Sequence, residues 1–160
     1  MKTLIAFYSR TGTTRKVAKS LARILKCDIE EIIDTKDRSG ASGYMQAGKE
    51  ATLETKAKIK PLKKSPAKYD LVIIGTPVWA WNMSAPIRTY ISENKRYLKD
   101  VAFFCTFMGS GGLRTITKMK QLSGKKPIAH FIAKTGYIIK NDFSKQLKEF
   151  AIKLKSGSKR

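Results

Sequence analysis

This sequence predicts an α/β domain with a parallel sheet covered by helices on both faces, and three observations carry that prediction. Short β-rich runs alternate with helical periodicity along the whole chain. Residues 71–75, Leu-Val-Ile-Ile-Gly, hold no polar side chain, as expected for a strand buried on both faces. Successive strand-like runs are also far enough apart for the crossover helix that parallel pairing requires.

The first β-rich run, residues 3–8, feeds a helix over 13–25 in which Val17, Leu21, Ile24 and Leu25 share one face. Ala18 and Ala22 let that face approach a sheet closely, while Arg15, Lys16, Lys19, Arg23 and Lys26 fall on the outer, solvated face. Further strands are expected at 27–33, 71–75, 101–106 and 128–132, giving βα repeated five times. The helix after strand three should open near Ser84, a candidate cap, with Pro86 in the first turn, where its missing N–H goes unneeded. The last helix, 144–155, places Phe143, Leu147, Phe150, Ala151 and Leu154 on one side and has Asn141 and Asp142 as capping candidates.

A chain of 160 residues without an interdomain linker fits one domain, here residues 1–155, with 156–160 as a frayed tail. Residues 35–66 form a long crossover rich in Lys, Gly, Ser and Ala, in which only 44–53 could make a short helix. Such a segment reads equally as a mobile surface loop or as the cover of a site. No apolar run approaches the roughly 18 residues of a membrane span, so no membrane insertion is expected. The amino-terminal apolar run meets Arg10 too early for a signal peptide, and a cytoplasmic setting is expected. Cys27 and Cys105 lack the spacing of a metal or redox motif and read as reduced core residues. His130 alternates onto the less buried side of strand five and reads as structural; no metal site is expected. The 33 Lys and Arg against 12 Asp and Glu leave a net +21, which favours anionic ligands and partners without choosing among them.

In open parallel sheets ligands bind at the carboxyl ends of the strands, which directs attention to three segments. After strand one, Ser9, Arg10, Thr11, Gly12, Thr13 and Thr14 offer hydroxyls, a tight turn and a helix N-terminus, which together make a phosphate site. The segment has neither the G-x-x-x-x-G-K-[ST] of a triphosphatase nor the G-x-G-x-x-G of a dinucleotide site. After strand three, Pro77, Val78, Trp79, Ala80 and Trp81 form an aromatic-rich loop whose tryptophans suit a flat aromatic ligand. After strand four, Thr106, Phe107, Met108, Gly109, Gly111 and Gly112 expose backbone groups to a ligand. A phosphate cradle, an aromatic wall and a backbone-lined edge suit an aromatic mononucleotide.

At these residues the chain resembles the flavodoxin family, and more closely its short-chain, single-domain relatives. Residues 8–14 are similar to the family's FMN phosphate loop, and Trp79 stands where many members place a ring that stacks on the isoalloxazine. The resemblance implies a flavodoxin-like three-layer sandwich with five parallel strands in the order 2-1-3-4-5, with FMN as cofactor. Ala80 stands where many members carry a glycine whose peptide turns toward reduced flavin. Alanine resists the φ > 0 that glycine accepts, which argues against strong stabilisation of one-electron-reduced flavin. The tyrosine that often covers the other flavin face from the loop after strand four has no counterpart, leaving a face open to a hydride donor or substrate.

No catalytic side chain is evident, so the flavin would carry the chemistry. The expected activity is electron transfer, either as a carrier for an acidic redox protein or as a small FMN-dependent oxidoreductase of quinone- or nitro-type acceptors. A covalent phosphatase is disfavoured because neither cysteine has an arginine at C-x5-R spacing. The rival reading is a basic nucleic-acid-binding module without redox function, motivated by +21 and the aromatics. No nucleic-acid motif appears, however, and nonspecific binding at low salt is the form expected.

Overall fold

A computed structural model describes residues 1–157. Five parallel strands form the sheet: β1 (Thr3–Phe7), β2 (Asp28–Glu31), β3 (Leu71–Trp79), β5 (Asp100–Phe107) and β6 (His130–Lys134). Their spatial order is β2-β1-β3-β5-β6, the expected order with the fourth and fifth strands now numbered β5 and β6. A two-residue strand, β4 (Asn82–Met83), folds back antiparallel onto the end of β3. Strict alternation along the central strands builds two cores. Leu4, Ala6, Val72, Ile74, Phe103 and Cys105 face one way; Ile5, Phe7, Leu71, Ile73, Ala102 and Phe104 face the other.

Helices α1 (Thr13–Leu25) and α6 (Ser144–Gly157) cover the second core together with the short α5 (Thr135–Ile139). Helices α2 (Gly40–Thr52), α3 (Ala85–Asn94) and α4 (Gly112–Ser123) cover the first. Val17, Ala18 and Leu21 are fully buried, as are Leu147 and Leu154, which confirms the apolar faces of α1 and α6.

Several expected boundaries shift. The crossover helix spans Gly40–Thr52 instead of 44–53, and the last helix runs on through Ser156 and Gly157, so that part of the expected tail is ordered; 158–160 lie outside the described residues. Gly157 is held against Ile128, whose Cγ2 lies 2.3 Å from where a Cβ would stand. Ser84 occupies the N-cap of α3 but makes no cap hydrogen bond; its hydroxyl instead pairs with Thr76 Oγ1 at 3.1 Å. Asn141 and Asp142 serve the turn that closes α5, their N–H groups bonding Ile138 and Tyr137 carbonyls.

The largest departure lies after strand three. The expected loop is β-structure: β3 continues through Pro77 to Trp79 and reverses over Ala80 and Trp81 into β4. Pro77 is tolerated because β1 ends its pairing at Gly75, leaving only β5 as neighbour. Ala80 and Trp81 hold φ of 45° and 60°, the paired left-handed conformation of a type I′ hairpin.

Candidate ligand cleft at the carboxyl edge of the sheet

The segment between β1 and α1 is shaped by its own polar contacts. Ser9 is buried and its Oγ accepts the Gly12 N–H at 3.1 Å, which curls the loop; Gly12 adopts φ 98°, a conformation costly for any other residue. Helix α1 begins there with no side-chain cap and no acidic residue in its first turn. Its first N–H groups therefore lack helical acceptors and carry the positive end of the helix dipole. Thr11 and Thr13 present hydroxyls 3.5 Å apart beside them, whereas the Thr14 hydroxyl is committed to Thr106 Oγ1 at 2.8 Å in the interior. Arg10 adds a guanidinium. This is a competent anion cradle.

The cradle opens into a cleft of about 100 Å³ lined by Arg10, Thr11, Thr13, Thr14, Pro77, Val78, Trp79, Thr106, Phe107 and Met108. Two residues outside the three expected segments join them: Tyr44 of α2 and Thr135 at the start of α5. Among the described residues no carboxylate lines the cleft. Apolar walls beside an uncapped helix terminus fit a ligand with a flat apolar body and a phosphate. The volume is below the roughly 300 Å³ of a typical small-molecule cavity, so a flavin-sized ligand must extend past the mouth. Larger hollows lie elsewhere, including a 470 Å³ groove along the basic face of α1. That groove lacks the apolar walls of the cleft, and the cleft is the better candidate.

The remaining expected site residues fall outside the cleft lining: Ser9, Gly12, Ala80, Trp81, Gly109, Gly111 and Gly112. Gly111 has a packing explanation, since at φ 97° it lies against Trp81, whose Cδ1 would be 2.5 Å from an added Cβ. The two tryptophans also divide differently from expectation. Trp79 reaches the cleft but is 6% exposed, with Tyr8 edge-on at 5.5 Å and the Arg38 guanidinium 5.2 Å from its ring centre. It offers little ring face to a ligand. Trp81 is exposed, but its indole N–H donates to Ser110 Oγ at 2.8 Å, away from the cleft.

A buried ionic network fixes α2 beside this site. Arg38 donates through Nε to Asp34 and through Nη2 to Glu50 at 2.6 Å, and Lys36 reaches Glu50 at 3.1 Å. Burial pulls the Glu50 carboxyl up, but hydrogen bonds from Arg38 and Lys36 outweigh it and leave its pKa below the ordinary value. Gly43 rests directly on the Arg38 backbone, with the carbonyl carbon and oxygen 2.3 Å from where a Cβ would be. Arg10 Nη1 donates to the Arg38 carbonyl at 3.2 Å, and its guanidinium lies 5.3 Å from the Tyr44 ring centre. Burial, reinforced by Asp34, pushes the Tyr8 phenol up to about 12, so it remains a neutral hydroxyl.

Sequence reasoning missed Tyr44, Arg38, Asp34, Glu50 and Thr135. The available signal for Tyr44 was its isolation, as the lone aromatic between residues 34 and 66. Both cysteines are free, but only Cys105 lies in the core; Cys27 is half-buried at its margin, and burial raises Cys27 to about 11 and Cys105 to about 12. No group of three or more metal-ligating side chains occurs among the described residues, and none of their helices is long and apolar enough to cross a membrane.

The flavodoxin family model matches residues 2–153. No curated protein matches the chain. Among solved structures it is similar to a flavoprotein from Lactobacillus acidophilus NCFM in complex with FMN, at 22% identity and TM-score 0.67 over 88% of this chain and 97% of that one. The apo-form of the flavoprotein from the same organism gives 25% identity and TM-score 0.64, covering 83% and 91%. Oxidised flavodoxin 1 from Bacillus cereus gives 17% and 0.57, covering 97% and 98%.

Proposed function

This chain belongs to the flavodoxin family, and on that premise we propose that it binds one FMN at the carboxyl edge of β1, β3 and β5 and transfers electrons through it. The observation that carries this reading is the joining, in one carboxylate-free cleft, of an uncapped helix terminus with an apolar wall. The amides of Thr13 and Thr14 and the hydroxyls of Thr11 and Thr13 would hold the phosphate, with Arg10 adding charge. Pro77, Val78, Phe107 and Met108 would bury the ring and exclude water from part of it. FMN, when bound, supplies one- or two-electron redox chemistry; the chain contributes orientation, hydrogen bonds and a local field.

No side chain in the cleft is suited to act as a general base, since the thiols lie outside it and Tyr8 holds its proton. The Arg10 guanidinium in the cleft would add a positive field to bound flavin, which would favour negative charge on reduction and raise the midpoint potential. The electron partner is an acidic redox protein or a small quinone- or nitro-type acceptor, complementary to the basic surface or able to enter the cleft. Both cysteines are free, in keeping with a reducing, cytoplasmic compartment.

The test is an absorbance spectrum before and after FMN addition and desalting, followed by anaerobic potentiometric titration. Retained flavin bands are expected, with midpoints less negative than those of acidic flavodoxins. Absence of saturable FMN binding would sink the reading.

A further inference from the structure

We propose that Tyr44 of α2 is the aromatic residue that stacks on the flavin ring in this protein and sets its affinity for flavin. The proposal rests on the FMN reading above. Among the described aromatic rings that line the cleft, Tyr44 alone is exposed, at 59%, against 6% for Trp79 and an intermediate Phe107. Trp81 is exposed but is bound to Ser110 and absent from the lining. A ring that stacks needs an accessible face, and Tyr44 has one.

Its position is fixed by the ionic network that anchors α2. The ring is held from one side by the Arg10 guanidinium, itself tied to the Arg38 carbonyl. Arg38 is anchored in turn by the carboxylates of Asp34 and the half-buried Glu50, and Gly43, the residue before Tyr44, is packed on the Arg38 backbone so closely that no side chain would fit. Tyr44 is therefore delivered to the cleft by a rigid support although it sits in a crossover segment. The geometry also links the two ends of the ligand site. Arg10 lines the phosphate cradle and touches Tyr44, so the anion and the ring are recognised by neighbouring groups.

The test compares Tyr44→Phe, Tyr44→Leu and Tyr44→Ala with the unaltered protein, reading FMN affinity by fluorescence titration and the visible circular dichroism of the bound flavin. The exposed position on a helix surface lets all three fold. Phe should bind within about twofold of Tyr, while Leu and Ala should bind about tenfold more weakly, with an altered flavin dichroism. Leu and Ala variants that bind within twofold and leave the dichroism unchanged would overturn the assignment. So would weakening accompanied by an equal loss of competition by inorganic phosphate, because Tyr44 would then act only through Arg10. Failure of the unaltered protein to bind FMN is a different result and removes the function proposed above.

Discussion

Ala80 and Trp81 carry φ of 45° and 60° between β3 and β4, where each side chain pays a local conformational penalty of roughly 1 kcal/mol. Trp81 is compensated by its bond to Ser110 and by packing against Gly111; Ala80, exposed and with no side-chain contact of that kind, has no such return. Ala80→Gly should therefore stabilise the protein by about 0.5–1 kcal/mol in urea unfolding. A loss of stability would show that glycine's greater unfolded-state freedom outweighs the relieved strain. The same two residues explain a limit of the sequence reading. Two-residue hairpins are normally announced by Asn-Gly or Asp-Gly, and Ala-Trp gives no such signal. With the hairpin unseen, Trp79 stayed in an imagined loop, whereas β-alternation carries it into the core.

At the level of elements, α2 depends on charge as much as on apolar burial, since its inward face offers only Gly43, Ala47 and Ala51. Glu50 is one of the two carboxylates in that support, beside Asp34. Its folded pKa is depressed, so its contribution is complete above the unfolded carboxylate value of about 4.3 and is lost as pH falls through the lower folded value. Amide exchange over residues 40–52, corrected for intrinsic rates, should show protection at pH 5–7 that falls selectively below about pH 4. Glu50→Gln should show the weaker protection already at neutral pH; unchanged protection in both cases would contradict the role given to the network. Helices α1 and α6 were legible because their apolar stripes are strongly periodic. The crossover was only partly so, because a small-residue helix secured by ion pairs leaves little periodic trace and its partners meet only in the folded chain.

For the molecule as a whole, the net charge of +21 adds a long-range attraction to any polyanion. Binding to duplex DNA should fall steeply between about 50 and 200 mM salt, while FMN, held by short-range contacts, should remain bound. DNA affinity that persisted at high salt would revive the nucleic-acid reading. Strand order was accessible from sequence only through the family resemblance, because periodicity identifies strands without ordering them. The realised order, β2-β1-β3-β5-β6, also governs when the protein becomes competent during synthesis. Strand β1 must wait for residue 71 before its second neighbour exists, and the cleft draws on residues from Arg10 to Thr135. Most of the chain must therefore leave the ribosome before a complete flavin site can form, and until β3 is made one edge of β1 stands open to chaperones and to other strands.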